Sequence, residues 1–386
     1  MKKIKHILLL ALLIGLAQQG ATAQNRLAQG WTNGSEPFTT LERVIQPLRY
    51  RNIDINVATM QGILSAVNAT DRTNAAIFTM PMPDGSTEQF RIWENSCMHP
   101  DLQKTYPNIR VYTGQGVQHP EATLTIDVSP YGFHAMAHFA DEMVFIDPFA
   151  HLDIEHYIVY NKSDFRSSKR RECAVGDATD VDKHNANIPM IHSGTEPLDL
   201  QKSLAAPQGN TTGPTLRTYR LAMSATAEYS LFHSPSQIRA QVLAAIVTSV
   251  ARVNSVYERD IAVHFNLVKN DSLLIFFNTN TDGFTNNSGG ALLGENQAKV
   301  TAIIGAANYD IGHVFSTGGG GVATLGCVCG NSKAQGVTGS TSPVGDPFDI
   351  DYVVHEIGHQ FGCNHTFNGN QGSCGGNGNQ IGRAHV

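Results

Sequence analysis

The sequence predicts two folded parts: a mostly β domain, then a mixed domain of α+β or α/β class, with long helices on a sheet. Three observations predict it. Thr123-Leu124-Thr125-Ile126-Asp127-Val128 alternates apolar and polar side chains, the period-2 mark of a half-buried strand. Ile238, Val242, Ile246, Val250 and Val253 recur at helical spacing, and Ile261 to Val268 then alternates like a strand. Between these regions, residues 193–214 are rich in Ser, Thr, Gly, Pro and Gln without a period, which reads as a linker.

In chain order, residues 1–23 read as a secretory signal. Lys2, Lys3 and Lys5 precede the apolar run Ile7 to Ala17, and Ala21-Thr22-Ala23 offers small residues for cleavage. That run is too short to span a bilayer and no second run approaches the needed length, so no stable membrane anchor is expected. The protein is expected to be exported, extracellular or periplasmic. Losing the three lysines takes the basic count from 27 to 24 against 33 acidic residues, so the net charge moves from −6 to −9. A mildly acidic chain without a basic block argues against nucleic acid as a partner. Hydrophobic residues at 41% exclude a disordered tail.

Residues 24–165 are expected to form the β domain. Ser129-Pro130-Tyr131-Gly132 supplies a turn, the alternation resumes through Phe133, Ala135, Ala137 and Phe139, and Val144 to Ile146 continues a meander. No chemistry is visible there. Residues 166–214 form the linker, and Arg166 to Arg171 carries four basic side chains open to proteolytic nicking. In residues 215–386, Ser234-Pro235-Ser236 is expected to cap the long helix, and Glu295 to Ala307 to form another. Gly318 to Gly321 is no phosphate loop, because no Gly-Lys-Ser/Thr follows.

The chemistry lies at His355-Glu356-Ile357-Gly358-His359-Gln360-Phe361-Gly362-Cys363-Asn364-His365. On a helix, His355 and His359 project from one face a turn apart, so both imidazoles reach one Zn²⁺. Glu356, beside the first ligand, reaches a water at the metal's open position. Gly362 can turn the chain back through a left-handed conformation, bringing His365 round as third ligand. Three protein ligands plus water is the coordination of a catalytic zinc. Val354, Ile357 and Phe361 give the helix an apolar stripe, and Asp349 or Asp351 places negative charge near its N-terminus.

His-Glu-x-x-His-x-x-Gly-x-x-His resembles the metzincin zinc-peptidase signature. Asp310 to Thr317 resembles the strand preceding the substrate-binding edge in the adamalysin/reprolysin-like branch. Gly321-Val322-Ala323-Thr324-Leu325-Gly326-Cys327-Val328-Cys329 resembles that edge strand, and Lys333 to Val337 the strand before the active-site helix. The resemblance covers roughly 215–386 and implies a metzincin-type catalytic domain behind a β-rich propeptide. His365-Thr366-Phe367 also resembles pappalysin-like metzincins, since adamalysins proper carry Asp after the third ligand. The family's Met-turn would follow the third ligand, yet the last methionine is Met223, so the catalytic domain is expected to be truncated.

The segment Lys169-Arg170-Arg171-Glu172-Cys173-Ala174-Val175-Gly176 resembles the cysteine-switch segment of adamalysin-type propeptides, which implies a zymogen; a disulfide between Cys173 and Cys97 is the alternative. Cys327, Cys329, Cys363 and Cys374 are candidates for disulfides, with a Cys327–Cys329 bridge sterically disfavoured. The remaining histidines, His313 and His385 among them, read as surface or packing residues. The expected function is a zinc metalloendopeptidase acting on protein or peptide substrates, with Glu356 as general base and one catalytic Zn²⁺. The alternative is an inactive binding or adhesion protein on the same scaffold; the intact Glu356 and three histidines speak against it. Nothing in the sequence indicates an oligomeric state.

Overall fold

The computed structural model describes residues 26–67, 75–165, 215–363 and 365. The signal, the linker with Cys173, and Cys374 with His385 lie outside the described residues.

The β domain is one antiparallel sheet. Its strands are β1 (Trp31–Asn33), β2 (Arg51–Ile55), β3 (Ala76–Pro81), β4 (Thr87–Glu94), β5 (Arg110–Gly116), β6 (Thr123–Ser129), β7 (Gly132–His138), β8 (Met143–Pro148) and β9 (His156–Asn161). Their order, β1-β2-β9-β8-β7-β6-β5-β4-β3, makes β3 to β9 an unbroken meander, as the alternating pattern predicts. Helix Val57–Ser65, whose first turn is capped by Asn56 Oδ1 accepting from Thr59 N, lays Met60 and Leu64 into the sheet's core beside Phe78, Phe90 and Phe133. β6 departs from the half-buried expectation. Its polar face is buried too, because Thr125 and Asp127 turn toward the second domain, where Thr248 Oγ1 donates to Asp127 Oδ2 at 2.8 Å.

The second domain is a five-stranded mixed sheet. β10 (Arg217–Ala225), β11 (Val263–Leu267), β12 (Ile311–Ser316) and β14 (Gly336–Gly339) run parallel, and β13 (Gly321–Ala323) pairs antiparallel to β14. The order is β11-β10-β12-β14-β13, so β13 is an edge. No alternation marks β10 because Leu221 to Ala225 are all buried, as inner parallel strands are. The long helix Arg239–Ile261 buries Val242, Ile246, Val250 and Val253, the stripe its spacing predicts. Ser234-Pro235-Ser236 does not cap it. Ser234 closes the preceding helix Ala227–His233, and Ile238 is the N-cap. A further helix starts at Gly289 behind its Ser288 cap and ends at Ile303, earlier at both ends than expected. Among the described residues, no helix is long and apolar enough to cross a membrane.

Candidate metal centre and substrate edge

The last helix among the described residues, His355–Gln360, continues from a π-helical turn at Asp349–Val354. Such a wider turn recurs at functional sites because it re-aims the residues after it. Tyr257 Oη, from the long helix, donates to the Val354 carbonyl at 3.0 Å. Val354 and Ile357 are buried and Phe361 is packed against the same core, so the predicted apolar stripe fixes which way the helix faces. Asp349 and Asp351 lie in the first turn of the helical segment that leads into His355, as predicted, but Asp349 has a further partner. Asp349 is 2% exposed and accepts from Ser249 Oγ at 2.5 Å and Arg252 Nη1 at 3.0 Å, so its charge is spent in a buried ion pair. Burial raises its pKa, with Arg252 opposing.

The helix ends as the glycine predicts. Gly362 has φ +95°, Gly362 N donates to the His359 carbonyl at 2.8 Å, and Cys363 N donates to the Gly358 carbonyl at 3.0 Å. These two bonds form a Schellman cap, whose left-handed position favours a residue without a Cβ. The reversal carries His365 back over the helix. The imidazole nitrogens of His355, His359 and His365 then converge with all three candidate ligand atoms within 4.8 Å of one another. The Nε2 atoms of His355 and His359 lie 2.9 Å apart. His359 Nδ1 faces the Cys363 carbonyl at 2.7 Å and must donate there, which leaves Nε2 with its lone pair toward the cluster. Burial lowers His359 to about 4, and lowers His365 as well, so both are neutral donors at ordinary pH. This donor set fits a Zn²⁺ ion, which neutral imidazoles bind.

Glu356 is fully buried and lies against β13: a Cβ at Gly321 would overlap its carboxylate and the Tyr352 ring. The edge strand is therefore glycine where it meets the carboxylate. Of the predicted edge residues, Val322 and Ala323 are in β13, and Thr324 still pairs through its N–H to the Gln335 carbonyl at 2.9 Å. Leu325 has left the strand, and residues 326–329 turn instead of extending it. That turn closes the helix end: Gly326 N donates to the His359 carbonyl and Val328 N to the Gln360 carbonyl.

Among the described residues, Cys97, Cys327, Cys329 and Cys363 form no bridge with one another; the expected pairings with Cys173 or Cys374 lie outside the described residues. Cys327 is buried with its Sγ 3.6 Å from Gln360 Nε2, while Cys329 and Cys363 are exposed. Burial pushes the Cys327 thiol up to about 11.

Sequence reasoning missed Gln360. His313, expected on the surface or in packing, is fully buried, with Nδ1 2.8 Å from Gln360 Oε1 and Nε2 2.8 Å from Thr338 Oγ1. Gln360 Nε2 donates to the Gly312 carbonyl at 2.9 Å, so its Oε1 must accept from His313 Nδ1–H, and Thr338 donates to Nε2. Burial lowers His313 to about 4, which keeps that neutral tautomer. The residue after the second candidate ligand is thereby tied to β12 and β14. The one signal in the sequence was a polar residue on the helix face opposite the metal.

Residues 243–366 match the family described as Metallo-peptidase family M12B Reprolysin-like. Among solved structures, the chain is similar to metalloproteinase-II from Bacteroides fragilis at 11% identity and a TM-score of 0.44, covering 85% of this chain and 89% of that one. At that score the likeness carries no argument. No curated protein matches the chain.

Proposed function

Because residues 243–366 form a reprolysin-like, metzincin-type zinc metallopeptidase domain, we propose that this chain is an exported endopeptidase made as a zymogen and acting on protein or peptide chains. The observation that carries the reading is the convergence of three imidazoles, with a buried carboxylate at the residue after the first of them and packed against the terminal strand of the sheet. A zinc ion held by His355, His359 and His365 supplies Lewis acidity toward the scissile carbonyl and acidifies water.

The chain's own residues do the rest. β13 offers its outer edge to an extended peptide, which adds as a further strand held by main-chain hydrogen bonds. Val322, Ala323 and Thr324 are the residues that peptide would meet. Glu356 takes a proton from the attacking water and passes it to the leaving amine nitrogen, the step that makes the amine a viable leaving group. Gly321, by lacking a Cβ, lets the Glu356 carboxylate lie close under the edge where the peptide binds. In the zymogen, Cys173 is the proposed inhibitory thiol.

Glu356→Ala tests the assignment. It is expected to retain zinc, measured by metal analysis after dialysis, and to lose about 10²–10⁴-fold in cleavage of a generic protein substrate. Turnover equal to the parent protein would sink the general-base role. Chelator-insensitive turnover would sink the zinc mechanism.

A further inference from the structure

We propose that the β domain is a permanent subunit of the peptidase domain and stays docked after the chain between them is cut. The proposal goes beyond the zymogen reading. It rests on how the two domains meet, independent of catalysis.

Three features of the seam carry it. First, the two domains share one apolar core: Cys97, Met98, Leu102, Ile109 and Val111 of the β domain are 1–4% exposed in the same cluster as the long helix and β11. The β domain also has its own core around Phe78, Phe90 and Phe133, so this cluster is an apolar interface, and a large apolar interface opposes relative motion. Second, the β domain pairs with the backbone of β11, the edge of the peptidase sheet. Leu267 N donates to the Cys97 carbonyl at 2.8 Å, and His99 N donates to the Leu267 carbonyl at 2.9 Å. Departure would bare an unpaired strand edge.

Third, a buried cation is shared across the seam. Arg252 of the long helix lies between Asp147 of β8 at 2.5 Å and Asp349 at 3.0 Å, with all three side chains 2–3% exposed. Tyr160 Oη donates to the other oxygen of Asp147 at 2.8 Å. Lys162 Nζ likewise reaches from the β domain to Asp346 at 2.5 Å and Asp351 at 3.0 Å. Asp349 and Asp351 are in the π-helical turn that leads into His355, so the β domain braces the metal helix from behind. A cavity of about 110 Å³ lined by His151, His233, Thr248 and Arg252 interrupts the seam. Away from that cavity, the shared core and the β11 edge are the parts that resist separation.

The test cuts the full chain once, at a site-specific protease sequence placed within residues 166–214, followed by gel filtration and denaturing electrophoresis. Both pieces are expected to elute together at the volume of the uncut chain, including after dilution. Asp147→Asn, which leaves Arg252 one charged partner, is expected to speed their separation by about tenfold or more. The proposal is overturned if the β piece of the otherwise unchanged cut chain elutes apart from the 215–386 piece. Elution is read without turnover, so failure of the peptidase reading and failure of this proposal are distinguishable.

Discussion

Gln360→Leu isolates what the buried glutamine does for the metal helix, because leucine keeps the volume and removes every polar contact. Gln360 now accepts from His313 Nδ1–H and donates to the Gly312 carbonyl, all within a fully buried environment. The substitution strands the His313 N–H without an acceptor, a cost of about 1–3 kcal/mol, and removes a bond to Gly312 worth about 1 kcal/mol. The expected loss is therefore about 3 kcal/mol, read as a lower urea midpoint at unchanged slope. Gln360 adjoins His359 in the chain, so freeing this anchor should also weaken zinc binding by about 10–100-fold, measured by competition with a chromophoric chelator. The double variant His313→Leu/Gln360→Leu leaves no stranded His N–H, and should cost less than the sum of the single changes. A single-variant loss below about 0.5 kcal/mol, or strictly additive singles, would refute the reasoning.

Two further outcomes follow from the same structure. Gly321→Ala places a methyl where the Glu356 carboxylate lies, so kcat is expected to fall by about tenfold or more while zinc content is unchanged; an unaltered kcat would show that the carboxylate has room to move. In the metal-free protein, acid should protonate three buried histidines only at a cost in stability. Burial lowers His138 and His233 to about 3 and His313 to about 4, so each folds neutral. Below the unfolded value of about 6.5 the unfolded chain binds a proton at each site that the native state refuses, so stability falls with pH until the folded values are reached. Between pH 6.5 and 5 each histidine contributes about 2 kcal/mol of loss at most, visible as a falling urea midpoint, and a flat profile would contradict their burial in the neutral form.

The parts of this molecule that were legible from sequence are those governed by local chemistry. The spacing of His355 and His359, the glycine at 362 and the return to His365 depend on a single helix and its cap, and the described structure brings all three imidazoles together. The meander was legible between Thr123 and Ile146, where the sequence alternates around the turn at Ser129 to Gly132. What escaped is long-range. Asp349 looks like a helix-terminal charge until Arg252, 97 residues earlier, is found to neutralise it. Thr125 and Asp127 look like a wet strand face until the long helix of the other domain covers them. His313 looks unremarkable in a strand, and only the approach of Gln360 and Thr338 gives its two nitrogens definite roles. In each case a polar residue was read from its local pattern alone, and the fold supplied a partner distant in the sequence. These misread residues are not scattered. Asp349, Asp127 and His313 each contact either the long helix Arg239–Ile261 or the metal helix, the two elements that join the β domain to the imidazole cluster. A polar side chain misread from its local pattern was here a marker of the contacts that hold the candidate site in place.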